Sequence, residues 1–92
     1  MSEKSWSDVL DLIQSQSSRQ SLDRVLEVLL TPEEQEAVAS RLAIMRALLA
    51  GEASQREIAS RLGVSIAKVT RCSNYLKRLD QQDKQILEAI YE

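Results

Sequence analysis

Apolar positions recur along most of this chain with the 3.6-residue period of an α-helix. Trp6, Val9, Leu10 and Ile13 share one face and predict a first helix over residues 5–15. Residues 15–21, SQSSRQS, are polar and read as a loop. Leu22, Val25, Leu26, Leu29 and Leu30 mark a second, short helix. A third starts at LTPEE: Thr31 caps it, Pro32 takes the first helical position and Glu34 closes a capping box. It runs to about Ala50, with Gly51 in the position that follows a helix end. Val38, Leu42, Met45, Leu48 and Leu49 form its stripe, which Ala39, Ala43, Ile44 and Ala47 widen well beyond one face. A helix apolar on most sides needs cover on more than one. In so small a chain, a second subunit is the natural second layer.

A different arrangement follows Gly51. Ser54 and Glu57 form another capping box, which opens a helix over residues 55–62. Gly63 supplies a turn, since glycine takes positive φ at low cost. Ser65 caps the next helix, from Ile66 to about Arg78. Asp80 caps a last one, with apolar positions at Ile86, Leu87, Ile90 and Tyr91. Helix, glycine turn and helix over residues 55–78 have the helix-turn-helix layout. Ala59 lets the second helix cross the first closely, and Leu62 and Val64 flank the turn as apolar anchors. Ile66, Val69 and Cys72 recur at a spacing of three and pin the second helix to the core. Ser65, Ala67, Lys68 and Arg71 are left nearer solvent, the small and polar surface that a groove-entering helix requires. The plain alternative is an αα-hairpin inside a helical bundle.

Charge separates these two readings. The 92-residue chain is acidic overall, with a net charge of −2. Residues 54–79 nevertheless hold Arg56, Arg61, Lys68, Arg71, Lys77 and Arg78 against Glu57 alone. A hairpin in a bundle has no need of that local excess, whereas DNA phosphates do. Composition sets the remaining bounds. One proline, two glycines and 43% apolar residues fit a single all-α domain over residues 1–92. There is no histidine, and Cys72 is the only cysteine, so zinc, a Cys–His pair and a disulfide framework are not expected. No glycine-rich phosphate loop occurs either, and neither an enzyme nor a metal site is expected. Cys72 reads as a buried structural cysteine, and the spacing of Trp6 with Val9 and Ile13 favours ordinary packing. No apolar run reaches 18 residues, and MSEKSWSDVL lacks a signal-peptide pattern, so no membrane contact and a cytoplasmic location are the expectation.

LLTPEEQEAV at 29–38, SRLAIMRALLAGEASQREIASRLG at 40–63 and IAKVTRCSNYLK at 66–77 together resemble the trp repressor family of bacteria. The resemblance covers roughly residues 6–92. It implies a transcriptional repressor built as a six-helix intertwined homodimer, the outer helices of two subunits interlocking. Its two helix-turn-helix units would read successive major grooves of a palindromic double-stranded operator, a docking geometry for which this family is itself a standing example. By resemblance, Gln55 and Arg56 lie near the phosphate backbone, and Ile66, Ala67, Lys68 and Thr70 face the groove. With Ser65 and Arg71 they form the candidate DNA-binding set.

The same resemblance implies L-tryptophan as corepressor. Arg41 and Thr31 would contact its carboxylate, Val28 and Leu30 would lie near the ligand backbone or pocket rim, and Arg41 and Arg71 would sandwich the indole. Three positions depart from the family pattern. Lys68 replaces a usual threonine, adding a group suited to a phosphate or a guanine. Cys72 replaces a usual glycine, and Tyr75 a small serine that commonly helps hold the ligand amine. Both add volume beside the expected indole, and overfilling costs about 1–3 kcal/mol in a packed site. Three effector states stay open on the sequence: tryptophan, another small aromatic ligand, or no effector, with Tyr75 filling the pocket. A dimerisation module without DNA binding is the functional alternative, against which Lys68, Arg71 and the basic block speak. An RNA-binding role lacks the aromatic stacking residues it would use.

Overall fold

Helix starts coincide with capping side chains throughout the computed structural model, which describes residues 4–88. The six helices are α1 (Trp6–Gln14), α2 (Arg19–Leu29), α3 (Pro32–Ala50), α4 (Gln55–Leu62), α5 (Ile66–Leu76) and α6 (Gln81–Glu88). All regular structure among the described residues is α-helical, as the sequence pattern requires. At the head of α3, the Thr31 hydroxyl accepts from the Glu34 N–H at 3.1 Å, and the Thr31 N–H donates to the Glu34 carboxylate at 2.8 Å. Asp80 Oδ1 accepts from the Asp83 N–H at 2.9 Å and starts α6.

Two boundaries differ from the sequence reading. The stretch read as a loop turns helical at Arg19, because the Ser18 hydroxyl accepts from the Ser21 N–H at 3.1 Å and caps α2 inside it. The helix α5 stops at Leu76 rather than near Arg78. There the Arg78 N–H donates to the Tyr75 carbonyl and the Leu79 N–H to that of Leu76. These three-residue steps tighten the last turn and end the helix.

Backbone contacts divide the chain into two units, residues 1–35 and 36–92. The first contains α1 and α2. Both have a clear apolar face, yet neither contains a buried residue. Trp6, expected to pack with Val9 and Ile13, is 71% exposed within the single chain. Leu10, Leu12, Val28 and Leu29 are exposed as well.

The second unit holds the buried set: Ile44 and Met45 of α3, Ile58 and Ala59 of α4, and Val69, Cys72 and Leu76 of α5. Ala47, Leu48, Leu49, Ala53, Val64, Leu79 and Leu87 pack around it. The Arg46 guanidinium donates to the Leu87 carbonyl at 2.6 Å and ties α6 to α3. Ile86 faces solvent, while Ile90 and Tyr91, also expected on this last helix, lie outside the described residues. Val38 and Leu42 remain exposed on α3, so part of its broad apolar surface is uncovered within one chain. No helix among the described residues is long and apolar enough to cross a membrane.

Candidate nucleic-acid interface and ligand cleft

The interface is built on α4 and α5. The Ser54 hydroxyl accepts from the Glu57 N–H at 3.1 Å, and the Ser54 N–H donates to the Glu57 carboxylate at 3.0 Å, fixing the start of α4. That backbone donor, helped by the Ser54 side chain and the charge of Arg61, holds the Glu57 carboxyl below its ordinary pKa. At the other end, Gly63 takes a left-handed conformation with φ 67°. The Val64 N–H reaches back to the Ala59 carbonyl and the Gly63 N–H to that of Ser60. This pair of bonds is a Schellman motif, which ends the helix and turns the chain. A Cβ at Gly63 would meet nothing within 4 Å, so backbone conformation rather than space asks for glycine here. One residue on, the Ser65 hydroxyl accepts from the Lys68 N–H at 3.1 Å and starts α5.

The inward face of α5 is Val69, Cys72 and Leu76. Ile66 does not pin this helix as expected. It is 47% exposed, because its place in the first turn leaves it at the open end of that face. Leu62 is exposed too, leaving Val64 as the apolar anchor of the turn. Ser65, Ile66, Ala67, Thr70 and Arg71 present an exposed surface, with Arg56 exposed on α4. The Thr70 hydroxyl donates to Gln55 Oε1 at 2.9 Å. This bond joins two of the residues expected at DNA from different helices.

Behind that surface, a cleft of about 600 Å³ lies between α3 and α5. Its size is that of small-ligand sites, about 300–1,000 Å³. Ala37, Arg41 and Met45 line it from α3, and Lys68, Arg71, Cys72 and Tyr75 from α5. Spacings of four on α3 and of three or four on α5 put each set on one helix face. Three lining residues are cationic and none is acidic. Tyr75 is 48% exposed, and the Arg78 guanidinium lies over its ring at 5.4 Å from the centroid. The ring is therefore a wall of the cleft, not its filling. Cys72 is a buried free thiol in the floor.

The cleft gathers Arg41, Arg71, Cys72 and Tyr75 from the expected ligand residues and adds Lys68, assigned on sequence to DNA alone. Ala37 and Met45 were not anticipated. The signal for them was the i, i+4, i+8 series through Arg41. Val28, Leu30 and Thr31 belong to the N-terminal unit, where Thr31 serves the α3 capping box. No group of three or more His, Cys, Asp or Glu side chains among the described residues could hold a metal ion.

The family model described as Trp repressor protein matches residues 4–91. A Trp operon repressor homolog of Vibrio vulnificus (strain YJ016) is 44% identical over 87 residues, covering 95% of this chain and 85% of the relative. One of Chlamydia trachomatis serovar D is 45% identical over 86 residues, covering 94% and 92%. Another, of Photobacterium profundum, is 40% identical over 85 residues, covering 92% and 82%.

Proposed function

Because this chain belongs to the Trp repressor family and is a DNA-binding transcriptional repressor, we propose that it works as a cytoplasmic homodimer occupying a palindromic operator under the control of a small aromatic ligand of the tryptophan type. The observation that carries this reading is the use of α5 on two sides. Ser65, Ile66, Ala67 and Thr70 are exposed for DNA, while Lys68, Arg71, Cys72 and Tyr75 line a ligand-sized cleft. An occupant of the cleft presses on the helix that enters the groove, so ligand binding bears directly on its angle.

Arg41 and Arg71 have the chemistry to take a carboxylate and to stack on an indole. The family resemblance adds Thr31, Val28 and Leu30 to the ligand-binding residues. Gln55 and Arg56 take phosphates at the start of α4. Repression then follows from occupancy alone, without bond making or breaking. The homodimer is supported by α1 and α2, whose apolar faces bury no residue, and by exposed Val38 and Leu42. Fully burying one such large side chain contributes about 1.5–3 kcal/mol.

Selection of bound duplexes from a random pool, with and without L-tryptophan, tests the proposal. The expected product is one palindromic motif whose recovery rises with tryptophan. Equal recovery in both arms would favour an effector-independent regulator, and no enrichment in either would remove operator recognition.

A further inference from the structure

The 2.9 Å bond from the Thr70 hydroxyl to Gln55 Oε1 ties the second turn of α5 to the first residue of α4. Both ends stand on backbone that the core holds. Val69, next to Thr70, is fully buried, and so is Ile58, one turn along α4 from Gln55. Packing of the two helices therefore sets the donor opposite the acceptor.

A glutamine amide has two unlike ends, a carbonyl oxygen that accepts and an NH2 group that donates. Here the Thr70 hydroxyl proton takes the oxygen. Among the described residues, the NH2 group has no partner within the chain. Gln55 opens α4, beside the exposed Arg56. The helix N-terminus and the guanidinium both favour an anion in that place. With its oxygen turned to Thr70, the amide adds one more donor there. Reversed, it would turn the negative end of its dipole outward.

We infer that Thr70 is a positioning residue for DNA binding: its hydroxyl holds the Gln55 amide with the NH2 group outward, and that group meets a backbone phosphate. The inference rests on α4 meeting phosphates as proposed above. It gives Thr70 a role through Gln55 in place of a contact of its own in the groove. Gln55 is half-buried and Thr70 exposed, so in the free protein their bond competes with water. A docked duplex excludes that water and strengthens the bond. Loss of the hydroxyl therefore falls on DNA affinity and leaves the fold intact.

Fluorescence anisotropy of the full chain on the selected palindromic duplex supplies the test, with circular dichroism to check the fold of each variant. Gln55→Ala should weaken binding about tenfold, as loss of a hydrogen bond to a charged group does. Thr70→Val removes the hydroxyl at nearly constant shape and should weaken binding about three- to tenfold, whereas Thr70→Ser should stay within about twofold of the unaltered protein. Added to Gln55→Ala, Thr70→Val should cost less than about twofold more, since the two residues act as one unit. Gln55→Glu still accepts from Thr70 but turns an oxygen outward, and should bind more weakly than Gln55→Ala. The same loss from Thr70→Val in both backgrounds would overturn the inference and make Thr70 a direct DNA contact. Gln55→Glu binding as tightly as the unaltered protein would overturn the outward NH2 group. An unchanged affinity in Gln55→Ala would take Gln55 away from phosphate, and with it the reading on which the inference rests.

Discussion

At Gly63 and Lys68, single residues test the turn and the proposed interface. At φ 67°, Gly63 sits where an L side chain is strained, although space around it is open. Gly63→Ala should therefore cost about 1–2 kcal/mol through backbone strain alone, read as a lower urea midpoint at fixed protein concentration. An unchanged midpoint would mean that the turn has another conformation. Lys68→Ala should weaken operator binding. If the lysine meets a phosphate, the log–log salt slope falls by about 0.9; if it reads a base edge, sequence preference changes instead. Unchanged affinity and preference would take Lys68 out of the interface. The cap at Ser65 and the turn at Gly63 were legible because each is local chemistry. The exposure of Ile66 was not, since periodicity gives a face but not where the neighbouring helix ends. Met45 read as core on the same grounds, and it is core; that it also lines a cleft depends on α5, some 25 residues away in sequence.

Helix starts announce themselves more clearly than helix ends, and α4 and α5 illustrate why. A capping box needs particular side chains three residues apart, as at Ser54 and Glu57. The end of α5 has no glycine, and backbone bonds from Arg78 and Leu79 decide it. Ser54→Ala should lower stability by about 1 kcal/mol, the usual worth of an N-cap, seen in chemical denaturation near neutral pH. Glu57 adds a pH dependence. Its folded-state pKa is lowered, chiefly by the Ser54 N–H, so its contribution is complete above the unfolded carboxyl value and fades as pH falls through the folded one. Glu57→Gln should remove that part of the acid-side loss. An identical pH–stability profile in the variant would exclude the carboxylate as a source.

At the scale of the whole molecule, the breadth of the apolar surface on α3 was the readable sign that one chain does not complete its own packing. What covers that surface cannot be read locally, because the pattern along a helix records which positions are apolar and not what packs on them. Sedimentation equilibrium should give twice the chain mass of 10.4 kDa at low micromolar concentration. A single species at the chain mass would sink the intertwined dimer. The melting temperature should rise with protein concentration, as it does when association stabilises the fold. The placement of the buried residues has a further consequence. Among the described residues, all of them lie between Ile44 and Leu76, and α1 and α2 have none. Amide hydrogens within Ile44–Leu76 should exchange at a rate set by opening of that core. Those of α1 and α2 should exchange only as fast as subunits part, and dilution should quicken them first. Mixing isotope-labelled with unlabelled protein would then form hybrid dimers on the same clock as deuterium uptake in the first two helices, making the trading of subunits and local opening a single event.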